Sequence, residues 1–338
     1  MSTLRFVDLF CGIGGFHLGA ERACSAAGIS SECVLASDID PTARAVYAER
    51  FPSAPLLGDI NLIEPASAPA FDLLFAGFPC QSFSIAGEGM GFEDETRGTL
   101  FFNVAQWIGA RRPQAFLLEN VKGLVIHDDS QTIRTILRVL RSDLGYDVHY
   151  AVLDSWNYGV AQCRERIYIA GFRDGVGLFS DGPPFEFPPP RGGRRVVMGD
   201  IRDPSPDHRN YMSETYWQWA LAHRRRHEEK GHGFGYVVRG WDEPAGTIVC
   251  GGMGTERNLL RDVPIREFPC EADPNRVPNS EGIRVMTALE FERLQGFPDG
   301  WTAVGDIPET KRRKTLANAV TVNVVEDVVG RMLPCLNL

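Results

Sequence analysis

No two cysteines in this chain stand in a Cys-x-x-Cys spacing and no regular histidine spacing accompanies them, although the sequence holds 8 cysteines and 7 histidines. Neither a zinc site nor a disulfide framework is indicated, so no metal and reduced thiols in a reducing compartment are expected. Long hydrophobic runs are missing too, and the opening residues MSTLRFVDLFCGIGG lack the order of a signal peptide. The expectation is a cytoplasmic protein with no membrane partner. Positive charge is also short, with 35 Lys+Arg against 44 Asp+Glu and a net charge of -9, which at first argues against nucleic acid. The deficit is uneven: residues 185–270 carry 13 basic and 12 acidic residues and four of the histidines. That segment nets +1 and the remainder -10, leaving room for a phosphate-binding face on an acidic body.

What is present is a chain of 338 residues, 43% hydrophobic, long enough for one large domain and a smaller one. Residues 5–10 form an apolar strand that runs into Cys11-Gly-Ile-Gly-Gly15 and then a helical pattern over 16–27. Strand, glycine loop and helix make a nucleotide cradle, because glycines let backbone approach a ligand and the helix N-terminus offers unpaired N–H groups. The third glycine of the dinucleotide fingerprint is absent, and in isolation such a loop is equally simple turn chemistry. A second strand, 31–37, ends at Asp38-Ile-Asp40 before a helix opened by Pro41, and a third leads to Gly58-Asp59-Ile60. Acids at such places are either ribose-binding groups or helix N-caps.

The segment 77–84, GFPCQSFS, follows the apolar run 72–76 and sets a thiol on a tight loop at a strand end. A structural buried cysteine does not need the flanking glycine and proline. The residues after it, with Gly87, Gly89, Gly91 and Gly98, read as a long loop able to close over a ligand. Strand 115–118 ends in Glu119-Asn-Val121, which places a carboxylate where open α/β sheets bind substrates. In Gln162-Cys-Arg-Glu-Arg166 the two arginines at i and i+2 of an extended chain point one way and suit an anion or a base edge, salt bridging to Glu165 being the alternative. Prolines crowd the chain just past Gly182, where a domain boundary is expected. Beyond it, arginines at 194–195 and small residues at 250–254 are tools for reading phosphates and base edges. The run 224–226 reads as a solvated helix face.

Taken in order, the glycine loop DLFCGIGGF, the two acids, the GFPCQSFS loop, ENV, QCRER, RVMTALEFERLQGFPDGW and the closing LANAV resemble the cytosine-C5 DNA methyltransferases over nearly the whole chain. The resemblance implies an α/β, Rossmann-like S-adenosylmethionine methyltransferase sheet with helices on both faces, plus a smaller irregular target-recognition domain. Residues 1–182, completed by 303–338, would form the catalytic domain, and 183–302 the recognition domain with its support. S-adenosylmethionine, leaving as S-adenosylhomocysteine, would meet Phe10, Gly12, Gly14, Gly15, Phe16, Asp38, Ile39, Asp59, Ile60 and Asn318. Family members often carry glutamate and a large aromatic where this chain has Asp38 and Ile39, and glycine where it has Ala317, so strain is expected if that position needs positive φ.

By the same resemblance, Cys80 adds to C6 of a flipped-out cytosine, Glu119 holds N3, Arg164 contacts O2 with Arg166 nearby, and water takes the C5 proton. Gln81, Ser84, Arg97, Gln162, Arg194, Arg195 and Arg257 would contact double-stranded DNA. A monomer on DNA, associated with the nucleoid, with a companion restriction endonuclease completes the expectation. A tRNA cytosine methyltransferase is a rival, but the Cys-Phe-Thr motif of that branch is absent. A non-catalytic DNA-binding relative would not need Cys80, Glu119 and Arg164 together, and a nicotinamide oxidoreductase would need the missing glycine.

Overall fold

A computed structural model describes residues 2–79, 100–173, 184–232, 235–249, 256–263 and 277–338. Contacts divide the chain into two compact units, one of Met1–Asp154, Glu165–Arg191 and Val320–Leu338, the other of Ser155–Arg164 and Gly192–Ala319. The units part at 191/192 and 319/320 rather than at 182/183 and 302/303, and the second takes ten residues, 155–164, out of the middle of the first.

In chain order the first strands are β1 (Thr3–Leu9), β2 (Ser30–Ser37), β3 (Leu56–Leu57), β4 (Leu73–Gly77), β5 (Ala115–Val121), β6 (Tyr146–Asp154), β7 (Gln162–Cys163) and β8 (Glu165–Arg173). All but β7 form one sheet in the order β3-β2-β1-β4-β5-β8-β6. Pairing is parallel from β3 to β5, and β8 runs antiparallel to both β5 and β6. The four residues Leu73 to Ala76 of β4 are fully buried, as a parallel sheet covered on both faces requires. Alternation along the strands sorts the two layers. Phe6 and Phe75 face α1 (Gly15–Ala27), where Phe75 stacks on Phe16 at 5.1 Å. Val7, Leu74 and Ala76 join the core formed with Phe101, Trp107 and Ile133, which lie on α3 (Leu100–Arg111) and α4 (Gln131–Arg138). Between α1 and α3 comes α2 (Pro41–Arg50), with Pro41 at its first turn and Asp40 accepting the amides of Thr42 and Ala43.

The strand order reverses at β1, which has β2 on one side and β4 on the other. Open α/β sheets bind ligands outside the carboxyl ends of strands at such a switch point. The glycine turn leaves β1 there, and the chain toward Cys80 leaves β4 beside it.

The second unit is built from short strands and helices: β7 pairs with β10 (Ala245–Gly246), and β11 (Leu259–Arg261) lies between β9 (Val238–Arg239) and β12 (Ile283–Arg284). Trp217 and Ala220 of α5 (Glu214–Glu228) pack with Met212, Leu259 and Ile283 into its core. Arg284 is fully buried and pairs with Asp262 at 2.8 Å and Glu290 at 2.7 Å. Burial opposes the Arg284 charge, and the two carboxylates outweigh it. Glu290 also closes a capping box with Thr287 at the start of α6 (Ala288–Leu294). The segment RVMTALEFERLQGFPDGW thus folds around one buried cation. The unit ends with α7 (Glu309–Asn318), and α8 (Val322–Met332) packs on α1 in the first unit.

Candidate active site at the carboxyl edge of the sheet

The turn after β1 is held in left-handed conformations at three places, Phe10 (φ 58), Gly12 (φ 54) and Gly14 (φ 87). A phenylalanine in that region costs on the order of 1 kcal/mol and persists where surrounding structure imposes it. Asp38 supplies part of that constraint. One of its oxygens accepts the Gly12 amide at 2.8 Å and the other accepts the Asp40 amide at 2.8 Å. Burial pushes the Asp38 carboxyl above its ordinary range, against the amides of Asp40 and Gly12, which favour its charge. The cap reading applies to the neighbouring acids instead: Asp40 caps α2, and Asp59 accepts the Asn61 amide at the head of a short helical turn. Ile60 is buried behind it, whereas Ile39 is 73% exposed, an apolar side chain left uncovered beside the turn.

Gly14 is the N-cap of α1, with no side-chain cap and no acid in the first turn. The His17 amide of that first turn is turned to Asp8, and the helix end itself suits an anionic group. Gly14 is also tightly packed, since a Cβ there would lie 2.3 Å from Cε2 of Phe51. Behind Phe51 sits a polar and aromatic wall: His17 stacks on it at 3.6 Å, and Nδ1 of His17 lies 2.8 Å from the Tyr47 hydroxyl. Gly14→Ala is expected to destabilise the first unit by about 2–4 kcal/mol, the sum of a left-handed side chain and an overpacked ring. A thermal melt reads this as a lower midpoint, accompanied by weaker cofactor binding.

One strand further along, Gly77 of β4 is in register with Glu119 of β5. A Cβ on Gly77 would meet Phe16 at 3.4 Å, Val320 at 3.6 Å and Oε2 of Glu119 at 3.8 Å, so glycine keeps open the ground between the turn's aromatic ring and the carboxylate. Arg166 of β8 lies across β5 and places Nε 3.2 Å from Oε1 of Glu119, both side chains being nearly buried. Asn120 donates to the carbonyl of Phe78 at 2.9 Å, tying the Glu119 strand to the chain two residues ahead of Cys80. Lys122, not Arg166, takes the Glu165 carboxylate, at 2.8 Å. Strands 2, 1, 4 and 5 thus carry Asp38, the glycine turn, Gly77 and Glu119 side by side along one edge, about 14 Å across at the usual strand spacing.

Cys80, Gln81, Ser84 and Arg97 lie outside the described residues. Arg164 does not share a strand with Arg166: the chain changes sheet between β7 and β8, and Arg164 belongs to the second unit. It is buried there and donates to the carbonyls of Ile248 at 3.3 Å and Ala319 at 3.0 Å. Gln162, expected to contact DNA, is fully buried, donating to Leu294 and Gln295 and accepting the Ile248 amide. Its amide is spent on the protein, which leaves it no group for a nucleic acid. Gln295 in turn donates to Leu316 and Ala319, so this network fixes the end of α7. Asn318 is the last residue of that helix and is exposed. Ala317 is helical and has no positive φ, so the strain expected from a missing glycine does not arise. Arg194 pairs with Asp200 at 2.6 Å, Arg195 lies 4.3 Å over the Trp156 ring, and Arg257 is exposed.

Asp8, which is not among the residues expected at the site, is fully buried near the end of β1. Among the described residues neither oxygen has a side-chain partner, and the His17 amide favours its charge. Burial first, and then Asp38, pushes this carboxyl well above the ordinary range. An acid inside the otherwise apolar run 6–10 is its signal.

The family model for C-5 cytosine-specific DNA methylases matches residues 4–333. The chain belongs to that family. It is 44% identical over 332 residues to the type II methyltransferase M.HpaII of Haemophilus parainfluenzae, spanning 97% of this chain and 88% of that one. Its identity to M.NgoBI of Neisseria gonorrhoeae is 39% over 329 residues, 95% of this chain and 90% of the relative. Among solved structures, a Dnmt2 variant of Spodoptera frugiperda superposes with a TM-score of 0.71 at 19% identity, covering 98% of this chain and 99% of the other. That likeness supports the Rossmann-like methyltransferase fold. This DNA methylase is therefore a DNA (cytosine-5-)-methyltransferase, and its family uses S-adenosylmethionine to methylate cytosine in DNA. Among the described residues no helix is long and apolar enough to cross a membrane, and no cluster of ligands could hold a metal.

Proposed function

We propose that the sheet edge is the catalytic centre, with cofactor on the β2-β1 side and the target base between β4 and β5. The observation that carries this is the register of Gly77 with Glu119, one strand from the glycine turn, with Arg166 on the carboxylate. The turn fits S-adenosylmethionine: the uncapped head of α1 suits its carboxylate, Asp38 retains lone pairs for ribose hydroxyls, and exposed Ile39 offers an apolar face to adenine. Gly12, Gly15, Phe10 and Phe16 line that side, and Asp59 with Ile60 stands at the next strand end.

Bound there, S-adenosylmethionine supplies an electrophilic methyl group. C5 of cytosine is a poor nucleophile, and Cys80 answers this by adding its thiolate to C6, which breaks the C5–C6 double bond and moves electron density to C5. Glu119 holds N3 and favours its protonated state, offsetting the negative charge that the sulfur brings to the ring. Arg166 keeps the Glu119 carboxylate in place through their ion pair. After methylation C5 loses its proton to water, the C5–C6 double bond re-forms, and Cys80 leaves with the electrons of the C6–S bond. The ring is unreachable inside a duplex, so the base is extruded at a cost of a few kcal/mol, on the order of one broken base pair and stack.

The second unit is proposed to read the duplex, with Arg195 and Arg257 among its contacts. Its relatives' type II designation supports a companion endonuclease, and the enzyme is proposed to act as a monomer. Bisulfite sequencing of DNA from a host expressing the protein tests the whole reading. Protected cytosines in one recurring context are expected, and complete conversion at every site contradicts it.

A further inference from the structure

One face of α5 has no role in the reading above. Trp217, Ala220 and Leu221 of this helix enter the core of the second unit, and Arg224 turns to Glu228 at 2.7 Å and to the Tyr236 carbonyl. The opposite face carries a file of rings: Tyr216 stacks with Trp219 at 5.4 Å, Trp219 with His223 at 5.0 Å, and His223 meets His227 at 4.4 Å. Tyr216 and Trp219 are 44% and 43% exposed, an unusual placement for two large aromatics in contact with each other.

Helical spacing puts Arg226 and Lys230 on the same side as Trp219 and His223, and both cations are exposed. Among the described residues neither has an ion-pair partner. The acids of the helix itself lie off this side, Glu228 being held by Arg224 and Glu229 sitting at a different angle, while Glu256 accepts the Tyr216 hydroxyl at the end of the file away from Lys230. A protein of net charge -9 therefore presents a cationic, ring-backed strip of about 16 Å from Trp219 to Lys230. Basic residues in the last turn also complement the helix dipole, but that does not account for the file of rings.

We propose that this face of α5 lies along the phosphate backbone of duplex DNA, with Arg226 and Lys230 as phosphate contacts and the ring file keeping them in line. The strip is long enough to meet more than one phosphate of a strand. The inference rests on the second unit being the DNA-reading part, and it gives a role to part of the run 224–226, which the sequence alone reads as a solvated helix face.

The test is the salt dependence of binding to a mixed-sequence duplex, because phosphate contacts are independent of sequence and each adds about 0.9 to the slope of log K against log salt. Arg226→Gln combined with Lys230→Gln keeps good helix formers at exposed positions, and circular dichroism checks the fold. The double variant is expected to bind with a slope shallower by about 1.8; a slope equal to that of the unaltered protein overturns the proposal. Incorporation of labelled methyl groups into the same DNA by the unaltered protein is measured alongside. That result reports on the methyltransferase reading alone, so the two fail separately.

Discussion

Replacing Cys80 by alanine abolishes methyl transfer, lowering turnover by at least about 10³-fold, while S-adenosylmethionine still binds. The asymmetry follows from the layout of the sheet. The turn at 10–15 and Asp38 hold each other through the Gly12 amide, and that bond involves nothing beyond β4. Cys80 continues from the strand in register with Glu119, so its loss removes the group that turns C5 into a nucleophile and leaves the cofactor side intact. Calorimetric titration with S-adenosylmethionine, paired with incorporation of labelled methyl groups into plasmid DNA, reads both halves. A variant with unchanged turnover contradicts the assignment.

Glu119→Gln is expected to lower kcat by about 10²–10⁴-fold with little change in KM for DNA. An amide preserves the shape and a hydrogen bond to the ring but cannot supply a proton to N3. It also leaves Arg166 without its carboxylate at 3.2 Å in a nearly buried site. A modest loss of stability therefore accompanies the loss of rate, and a thermal melt separates the two. If the rate loss were merely structural, KM and the melting midpoint would shift as far as kcat, so steady-state kinetics on folded protein decide the matter.

Much of this edge was legible in the sequence because each strand announces its own end. Apolar runs stopping at Phe10, Ser37, Gly77 and Glu119 give both the strands and the residues at their tips, since a parallel sheet buried on two faces leaves polar groups only at its edge. The helix starts were legible for the same local reason: Asp40 and Pro41 mark the start of α2 in two residues. Contacts made far along the chain were not. Nothing in QCRER says that its glutamine and first arginine bond the backbone of Leu294, Ile248 and Ala319, or that its second arginine returns to Glu119. A motif records which groups are present, whereas a fold decides which of them are already satisfied. Strand alternation likewise assumed one continuous extended segment, and the chain instead leaves one unit's sheet at Cys163 and enters the other's at Glu165. The boundary at 182/183 followed composition, which registers proline but not the pairing of β7 with β10.

Everything turns on a transient carbon–sulfur bond between Cys80 and the cytosine ring. Duplex DNA whose target cytosines carry fluorine at C5 tests this most directly, because fluorine cannot leave as the C5 proton does and the last step is blocked. Incubated with S-adenosylmethionine, the enzyme is expected to form a complex with this DNA that survives denaturation, and mass spectrometry of the digested complex is expected to place the link on the peptide containing Cys80. An enzyme that methylates ordinary DNA yet forms no such complex, or forms it through another residue, contradicts the account.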